Sequence, residues 1–245
     1  MKRRSVVAGL AALATAGCTR IAQTETFGSL VEGAEKLHRG AHRLLGGRQA
    51  MAREYASADV SPFFRGNGNV DIDTDAYRAH LAAGFADWRL EVRGLVERPL
   101  SLSLDAIRAL PQRTQITRHD CVEGWSAIGQ WTGPQLSAIL AMAGLQGDAK
   151  FIVFRCADEV RGVPYYESCD LDDAFHPQTI VAHQLGGEPL PVRNGAPLRL
   201  RIERQLGYKH AKYLTAIEAV ASLDGIGEGG GGYWEDRGYQ WYAGI

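Results

Sequence analysis

The chain has 245 residues, 45% of them hydrophobic and 22% charged, a balance that suits a soluble globular protein of one large domain or two small ones. Its net charge of −1 gives no electrostatic case for binding nucleic acid, and its Lys and Arg residues are dispersed, so any cationic site has to be local. The four cysteines, Cys18, Cys121, Cys156 and Cys169, include no CxxC pair; their spacing excludes zinc and iron–sulfur patterns and argues against a disulfide framework.

Met1-Lys2-Arg3-Arg4-Ser5 is a short basic start, followed by a small apolar run from Val6 to Ala16. That run is too short to span a bilayer and reads as an export signal over residues 1–17, with Arg3-Arg4 suggesting the twin-arginine route. Such a route carries folded proteins into the periplasm. Leu13-Ala14-Thr15-Ala16-Gly17-Cys18 permits two endings: a lipid anchor on Cys18, or cleavage after Ala14-Thr15-Ala16. Residues 18–59 carry weak helical patterning and read as an N-terminal arm or tether. Residues 60–245 read as the catalytic domain.

Trp88 to Leu95 alternates apolar and polar residues, as a half-buried strand does. Ser103 is placed to cap a short helix running through Ala106 to Leu110, stopped by Pro111. Gln115 to Arg118 reads as a strand leading into a loop at Cys121. Pro134 suits a first helical position, with Leu136, Ile139, Leu140 and Ala143 as one apolar stripe ended by Gly144. Phe151 to Phe154 and Tyr165 to Ser168 read as a hairpin about an Arg161-Gly162 turn. Leu171 to Phe175 is a helical turn, and strands follow over Ile180 to Leu185, Leu198 to Ile202 and Tyr213 to Val220. The tail from Gly229 to Tyr239 is loop-like and aromatic. The sum is α+β: mixed sheets, short helices, and loops too long and polar to be idle connectors.

Three polar blocks stand out. Thr117-Arg118-His119-Asp120-Cys121-Val122-Glu123-Gly124-Trp125-Ser126 sets a lone thiol between a charged approach and a Gly-Trp turn. A thiolate there is either a soft metal ligand or a nucleophile, against the plainer reading of a buried free cysteine. Arg193-Asn194-Gly195-Ala196-Pro197-Leu198-Arg199 and Leu206-Gly207-Tyr208-Lys209-His210-Ala211-Lys212 follow. One soft ligand with two cationic, turn-rich loops points to a metal held with a phosphorylated organic cofactor.

In this order the blocks resemble the sulfite-oxidase superfamily of molybdenum–molybdopterin oxidoreductases, and Cys121-Val122-Glu123-Gly124-Trp125-Ser126 is most similar to its periplasmic methionine-sulfoxide-reductase branch. Gly124 stands where that branch usually has alanine. The resemblance runs from about Ser61 to Ile245. It implies a sulfite-oxidase fold in one compact, monomeric domain, with Cys121 as the protein's metal ligand. It places Asn194, Arg199, His210, Ala211 and Lys212 on the cofactor, where Arg suits bidentate phosphate recognition and Lys a point charge. Pro62-Phe63-Phe64-Arg65-Gly66-Asn67-Gly68 resembles a further cofactor loop, which adds Phe64, Arg65 and Asn67. Cys156 aligns with a cofactor-touching threonine; the alternatives are simple packing or pairing with Cys169 across the hairpin. Glu123 and Trp125 are placed beside the metal, where Glu123 relays protons if a dry aromatic wall raises its pKa, or is an ordinary loop glutamate.

The expected activity is oxygen-atom transfer, with reduction of a small or protein-borne sulfoxide first. Sulfite oxidation is the alternative, needing a cationic pocket to which Arg118, Arg155 or Arg161 would contribute. A catalytically silent binding module is the rival of a different class. No haem motif is present in the sequence, so electrons are expected from a membrane haem protein or a soluble cytochrome.

Overall fold

A computed structural model describes residues 24–245; the export signal and Cys18 lie outside the described residues. The chain divides into two units, one ending at Gly47 and one spanning Arg48–Ile245. The first contributes helix α1 (Glu25–Gly46), capped by the Thr24 side chain accepting from the Phe27 amide. Within the expected arm, the weak helical patterning corresponds to this helix. Leu30, Leu37 and Leu44 recur every seven residues on it and are all exposed. No helix among the described residues is long and apolar enough to cross a membrane.

In the second unit the chain is ordered from Arg48, ahead of the boundary expected near residue 60. The Tyr55 amide donates to the Ile116 carbonyl at 2.9 Å and the Ala52 amide to Gln178 Oε1 at 2.7 Å. These bonds sew the first residues onto the body.

A five-stranded sheet forms one layer, in the order β2 (Leu100–Ser103), β1 (Arg89–Gly94), β11 (Leu214–Val220), β5 (Phe151–Val160), β6 (Val163–Asp170). Only β1 and β11 run parallel, with Glu91 opposite Ala216. A four-stranded sheet joins β3 (Gln112–Cys121), β4 (Trp125–Pro134), β8 (Gln184–Leu185) and β9 (Glu188–Pro189), and β7 (Thr179–Ala182) pairs with β10 (Arg199–Ile202). Four short helices fill the connections: α2 (Asp75–Ala82), α3 (Leu104–Ala109), α4 (Leu136–Ala143) and α5 (Leu171–Ala174). Leu136, Ile139, Leu140 and Ala143 of α4 are all buried, as their helical spacing requires. Ser103 caps α3 as expected, accepting from the Ala106 amide.

Three expectations change. Pro134 ends β4 rather than opening a helix, because it pairs with Gln112 across the β3–β4 ladder; Gln135 takes the N-cap. The strand expected over Ile180 to Leu185 breaks at His183 into β7 and β8, which pair in different sheets. In the β5–β6 hairpin, Cys169 lies opposite Ile152, whereas Cys156 lies opposite Leu214 on the other side of β5. Four residues of extended chain separate Ile152 from Cys156, roughly 13 Å at strand rise, beyond disulfide reach. Both thiols are free.

Candidate active site

Period-two geometry decides what β3 presents. Gln115, Thr117 and His119 are buried on one face, and Cys121 ends that same row. The reverse turn Val122–Gly124 then leads into β4, with the Gly124 amide donating to the Cys121 carbonyl at 3.0 Å. The thiol is thereby held at the end of a paired strand rather than on a free loop.

Cys121 opens onto a cavity of about 210 Å³. One side is polar: Asn67, Asn69, Asp158, His210 and Lys212. The other is aromatic: Tyr165, Tyr208, Trp234 and Tyr239. Val122 and Glu123 border it beside Cys121.

Beneath the polar side lies an unusual concentration of buried cations. Trp131 is fully buried against two fully buried guanidinium groups, with Arg199 at 4.9 Å and Arg201 at 4.4 Å from its ring centre. Arg201 is bound by both oxygens of Glu203, at 2.9 and 2.6 Å. Arg199 has no such carboxylate; it donates to the carbonyls of Asn194 at 3.0 Å and His210 at 3.4 Å. Burial, then the neighbouring Arg201, pulls the Arg199 guanidinium down to about 9. Burial and Arg199 pull the Lys212 ammonium down to about 7. Lys212 donates to the carbonyls of Asn69 and Arg193.

Two histidine rings, His119 and His210, meet edge to face here with centres 4.9 Å apart. Arg201 Nη1 lies 2.9 Å from His119 Nδ1 and can only donate, so the proton of neutral His119 sits on Nε2. His210 Nε2 faces the Gln205 carbonyl at 3.0 Å, so its Nδ1 is a bare acceptor. Burial and the nearby arginines push both imidazoles well below their usual range. Gly207 is obligatory between these parts: a Cβ there would come within 2.5 Å of His119 Nε2.

The surroundings fit an anionic, heteroatom-rich cofactor. His119 Nε2, His210 Nδ1, Asn67 Oδ1, Asn194 Nδ2 and Arg199 Nε are buried without a hydrogen-bond partner. Native interiors leave few such groups, so a cluster of them around one cavity marks a ligand's place. The cations Lys212 and Arg199 are suited to a phosphate or a thiolate-rich metal group. Among the described residues, no three His, Cys, Asp or Glu side chains cluster as metal ligands.

The residues singled out in the sequence distribute as follows. Cys121, Glu123, Asn67, His210 and Lys212 line the cavity. Asn194, Arg199 and Ala211 are buried behind it; Gly195, at φ 107°, packs so closely that a Cβ would come within 2.9 Å of Lys212 Cβ. Phe64 is buried edge-on to Trp131 at 4.9 Å and to Trp125 at 6.2 Å. Arg65 is exposed, 5.9 Å from the Trp125 ring. Cys156 is not among the lining residues, but it lies within electrostatic reach of Lys212 and Asp158. Burial, then Asp158, pushes its thiol well up. The Cys121 thiol is also raised by burial, with Arg65 and Arg199 opposing.

Glu123 differs from its expected setting. It is exposed rather than walled in, accepting from Trp125 Nε1 at 2.9 Å and from the Gly68 amide at 3.3 Å. The cationic pocket needed for a sulfite dianion is not assembled from Arg118, Arg155 and Arg161. Arg118 pairs with Asp120 at 2.9 Å, Arg155 with Glu218 at 3.0 Å, and none of the three lines the cavity. Sequence reasoning missed Asn69, Asp158, Tyr165 and Tyr208 as lining residues, and Arg201 as the second guanidinium at Trp131. Arg199-Leu200-Arg201 alternation on one strand was the available signal for the last.

A mixed α+β scaffold that gathers one cysteine, buried cations and unpartnered polar groups around a single cavity defines a cofactor-dependent oxidoreductase. The chain belongs to the family described as the oxidoreductase molybdopterin binding domain, which matches residues 78–224. It is 46% identical over 159 residues, 65% of this chain and 56% of the relative, to a putative protein-methionine-sulfoxide reductase subunit, YedZ1, of Azospira oryzae. It is 37% identical over 161 residues, 61% of this chain and 50% of the relative, to the protein-methionine-sulfoxide reductase catalytic subunit MsrP of Xanthomonas axonopodis pv. citri. The chain thus spans about half the length of these relatives. Its fold is similar to that of the sulfane dehydrogenase SoxCD of Paracoccus pantotrophus, at a TM-score of 0.51 and 22% identity, over 56% of this chain and 39% of the other.

Proposed function

We propose that this protein reduces sulfoxides, protein-borne methionine sulfoxide first among them, with a molybdenum–molybdopterin group held at Cys121. The observation that carries the reading is that Cys121 and Lys212 line one cavity together with Asn67, Asp158 and His210, each of which has a buried polar atom without a partner. The names of the relatives supply the substrate class.

Bound molybdopterin supplies a metal that exchanges two electrons and an oxygen atom. The net reaction breaks the sulfur–oxygen bond; the sulfur is reduced by two electrons to a thioether, and the oxygen leaves with two protons as water. The chain's own residues bind and orient. Cys121 gives one thiolate, a soft donor to a soft-ligand metal. Arg199, with Asn194, His210 and Lys212, holds the anionic part of the cofactor by charge-assisted hydrogen bonds. Tyr165, Tyr208, Trp234 and Tyr239 wall the site with rings; Trp125 packs against Phe64 and holds Glu123 through its indole N–H. Glu123 is the carboxylate beside the sulfur that is open to water, placed to pass protons inward from solvent. The electrons come from a separate haem protein, and the Arg3-Arg4 start with the apolar run after it supports a periplasmic reaction.

Protein purified from a molybdenum-competent host and reduced with a viologen dye tests this. Dye oxidation that depends on added methionine sulfoxide and is absent from Cys121→Ser is expected. A folded, cofactor-loaded protein indifferent to every sulfoxide but reduced by sulfite would overturn it. A folded protein holding neither metal nor pterin would favour a silent binding module.

A further inference from the structure

Beside the cavity, and sharing Gly68 and Glu123 with it, runs an open groove of about 570 Å³. Phe63, Arg65, Val70 and Arg193 line it. Phe63 is 61% exposed and Val70 49%, and Val122 beside Glu123 is 46% exposed. Single exposed apolar residues are ordinary; three around one opening to a buried site are not.

The groove carries two cations, Arg65 and Arg193, against one carboxylate, Glu123. Arg193 lies over the Phe63 ring at 5.9 Å and Arg65 over the Trp125 ring at 5.9 Å, so aromatic faces hold both guanidinium groups in place. Neither forms an ion pair with a carboxylate among the described residues, although other exposed arginines here do, such as Arg78 with Asp75 and Arg108 with Asp105. The one carboxylate in the groove, Glu123, is engaged by Trp125 and the Gly68 amide.

The cavity of about 210 Å³ is assigned above to the cofactor, which leaves a substrate little more than room for its reacting group. A substrate longer than a single side chain has to leave the remainder of itself outside. The groove is continuous with the cavity, apolar in part and cationic at two fixed points. Resting on the sulfoxide-reductase reading above, we infer that the Phe63–Val70–Arg193 groove binds the chain flanking a peptide-borne methionine sulfoxide and selects acidic residues there. Arg193 and Phe63 are specificity-determining residues in this account; they touch the flank, not the reacting sulfur.

The test uses the holoenzyme and short peptides of one methionine sulfoxide flanked by Asp and Glu, by Ser and Gly, or by Lys and Arg. Turnover is followed with reduced viologen and binding by fluorescence anisotropy of the labelled peptides. Acidic flanks should raise kcat/KM over basic ones by on the order of fivefold, as exposed charge pairs allow, and added salt should shrink the difference. Arg193→Glu should erase or reverse the preference and leave free methionine sulfoxide unchanged. Phe63→Ser should weaken all peptides and spare the free amino acid. Equal kcat/KM and equal binding for acidic and basic peptides would overturn the inference, as would an Arg193→Glu enzyme impaired alike on peptide and free substrate. Should no sulfoxide be reduced while acidic peptides still bind through Arg193, the groove stands and the proposed activity falls.

Discussion

Cys121 reaches the cavity because it is the last residue of a row that already points inward. Register, not loop chance, aims the sulfur, and Cys121→Ser keeps the register while removing a soft ligand. The expected result is a folded protein with molybdenum and activity both reduced more than about 100-fold, a larger loss than removing groups that only support a ligand; metal content against circular dichroism checks it. Lys212 carries a second expectation. Its folded pKa of about 7 lies below the unfolded value near 10.4. Between those values the unfolded chain binds the extra proton, so the stability of the cofactor-free protein rises with pH there. The slope from this group is at most about 1.4 kcal/mol per pH unit. Below pH 7 the penalty of burying the ammonium is fully present. Urea titrations from pH 7 to 9.5 should show the rise in the wild type and a flatter curve in Lys212→Met. An identical curve in both would remove Lys212 from the account.

At the scale of elements, the aromatic side of the cavity is fastened by one ion cluster. Lys209 bonds Glu167 at 2.7 Å and also Glu235, and all three side chains are buried. Lys209 lies between cavity residues Tyr208 and His210, Glu235 follows Trp234, and Glu167 is two residues along β6 from Tyr165. Burial and the neighbouring Glu235 push Glu167 well above the usual carboxylate range, so two carboxylates and one ammonium share a dry site. Lys209→Met leaves both acids without their cation and should cost about 3–5 kcal/mol, read as a shifted urea midpoint. Replacing all three, with Glu167→Gln, Lys209→Met and Glu235→Gln, should restore much of it, since no charge is left unpaired. If the single and triple variants are equally unstable, the cluster is not acting through charge.

Legibility from the sequence follows the same scale. The α4 stripe, the Ser103 cap and the β5–β6 hairpin were readable because local periodicity and turn chemistry fix them. β4 was not: Gly129, Gly133 and Pro134 speak against a strand, and only pairing with β3 and the close approach of β7 at Gly133 make it one. Motif blocks singled out Cys121 and Lys212, which line the cavity, and Arg199, which is buried. The aromatic wall was hidden because Tyr165, Tyr208 and Trp234 come from three distant segments, and chain order says nothing about their meeting. The two readings of Glu123 stayed open because exposure is a property of the folded mouth, which no local spacing reports.

At the scale of the whole molecule, a five-stranded sheet and a four-stranded sheet hold the Cys121 hairpin, the Asn194–Arg199 loop and the Gly207–Lys212 segment around one opening. Without cofactor, several polar groups at that centre are buried and unpartnered, which costs stability. Binding only to the folded state stabilises it, by about 4.1 kcal/mol at a thousandfold excess over Kd. For a domain of this size that corresponds to a rise in Tm on the order of 10 °C. Calorimetry of cofactor-loaded and cofactor-depleted protein should show it, and coincident transitions would mean that the cavity is not where the cofactor binds.

The most direct measurement is the molybdenum content of protein purified from molybdenum-sufficient cells, compared between the wild type and Cys121→Ser. Near-stoichiometric metal in the wild type, and its loss from an equally well-folded variant, is the expected result. Equal molybdenum in both proteins, or none in a correctly folded wild type made by a host that assembles the cofactor, would contradict it.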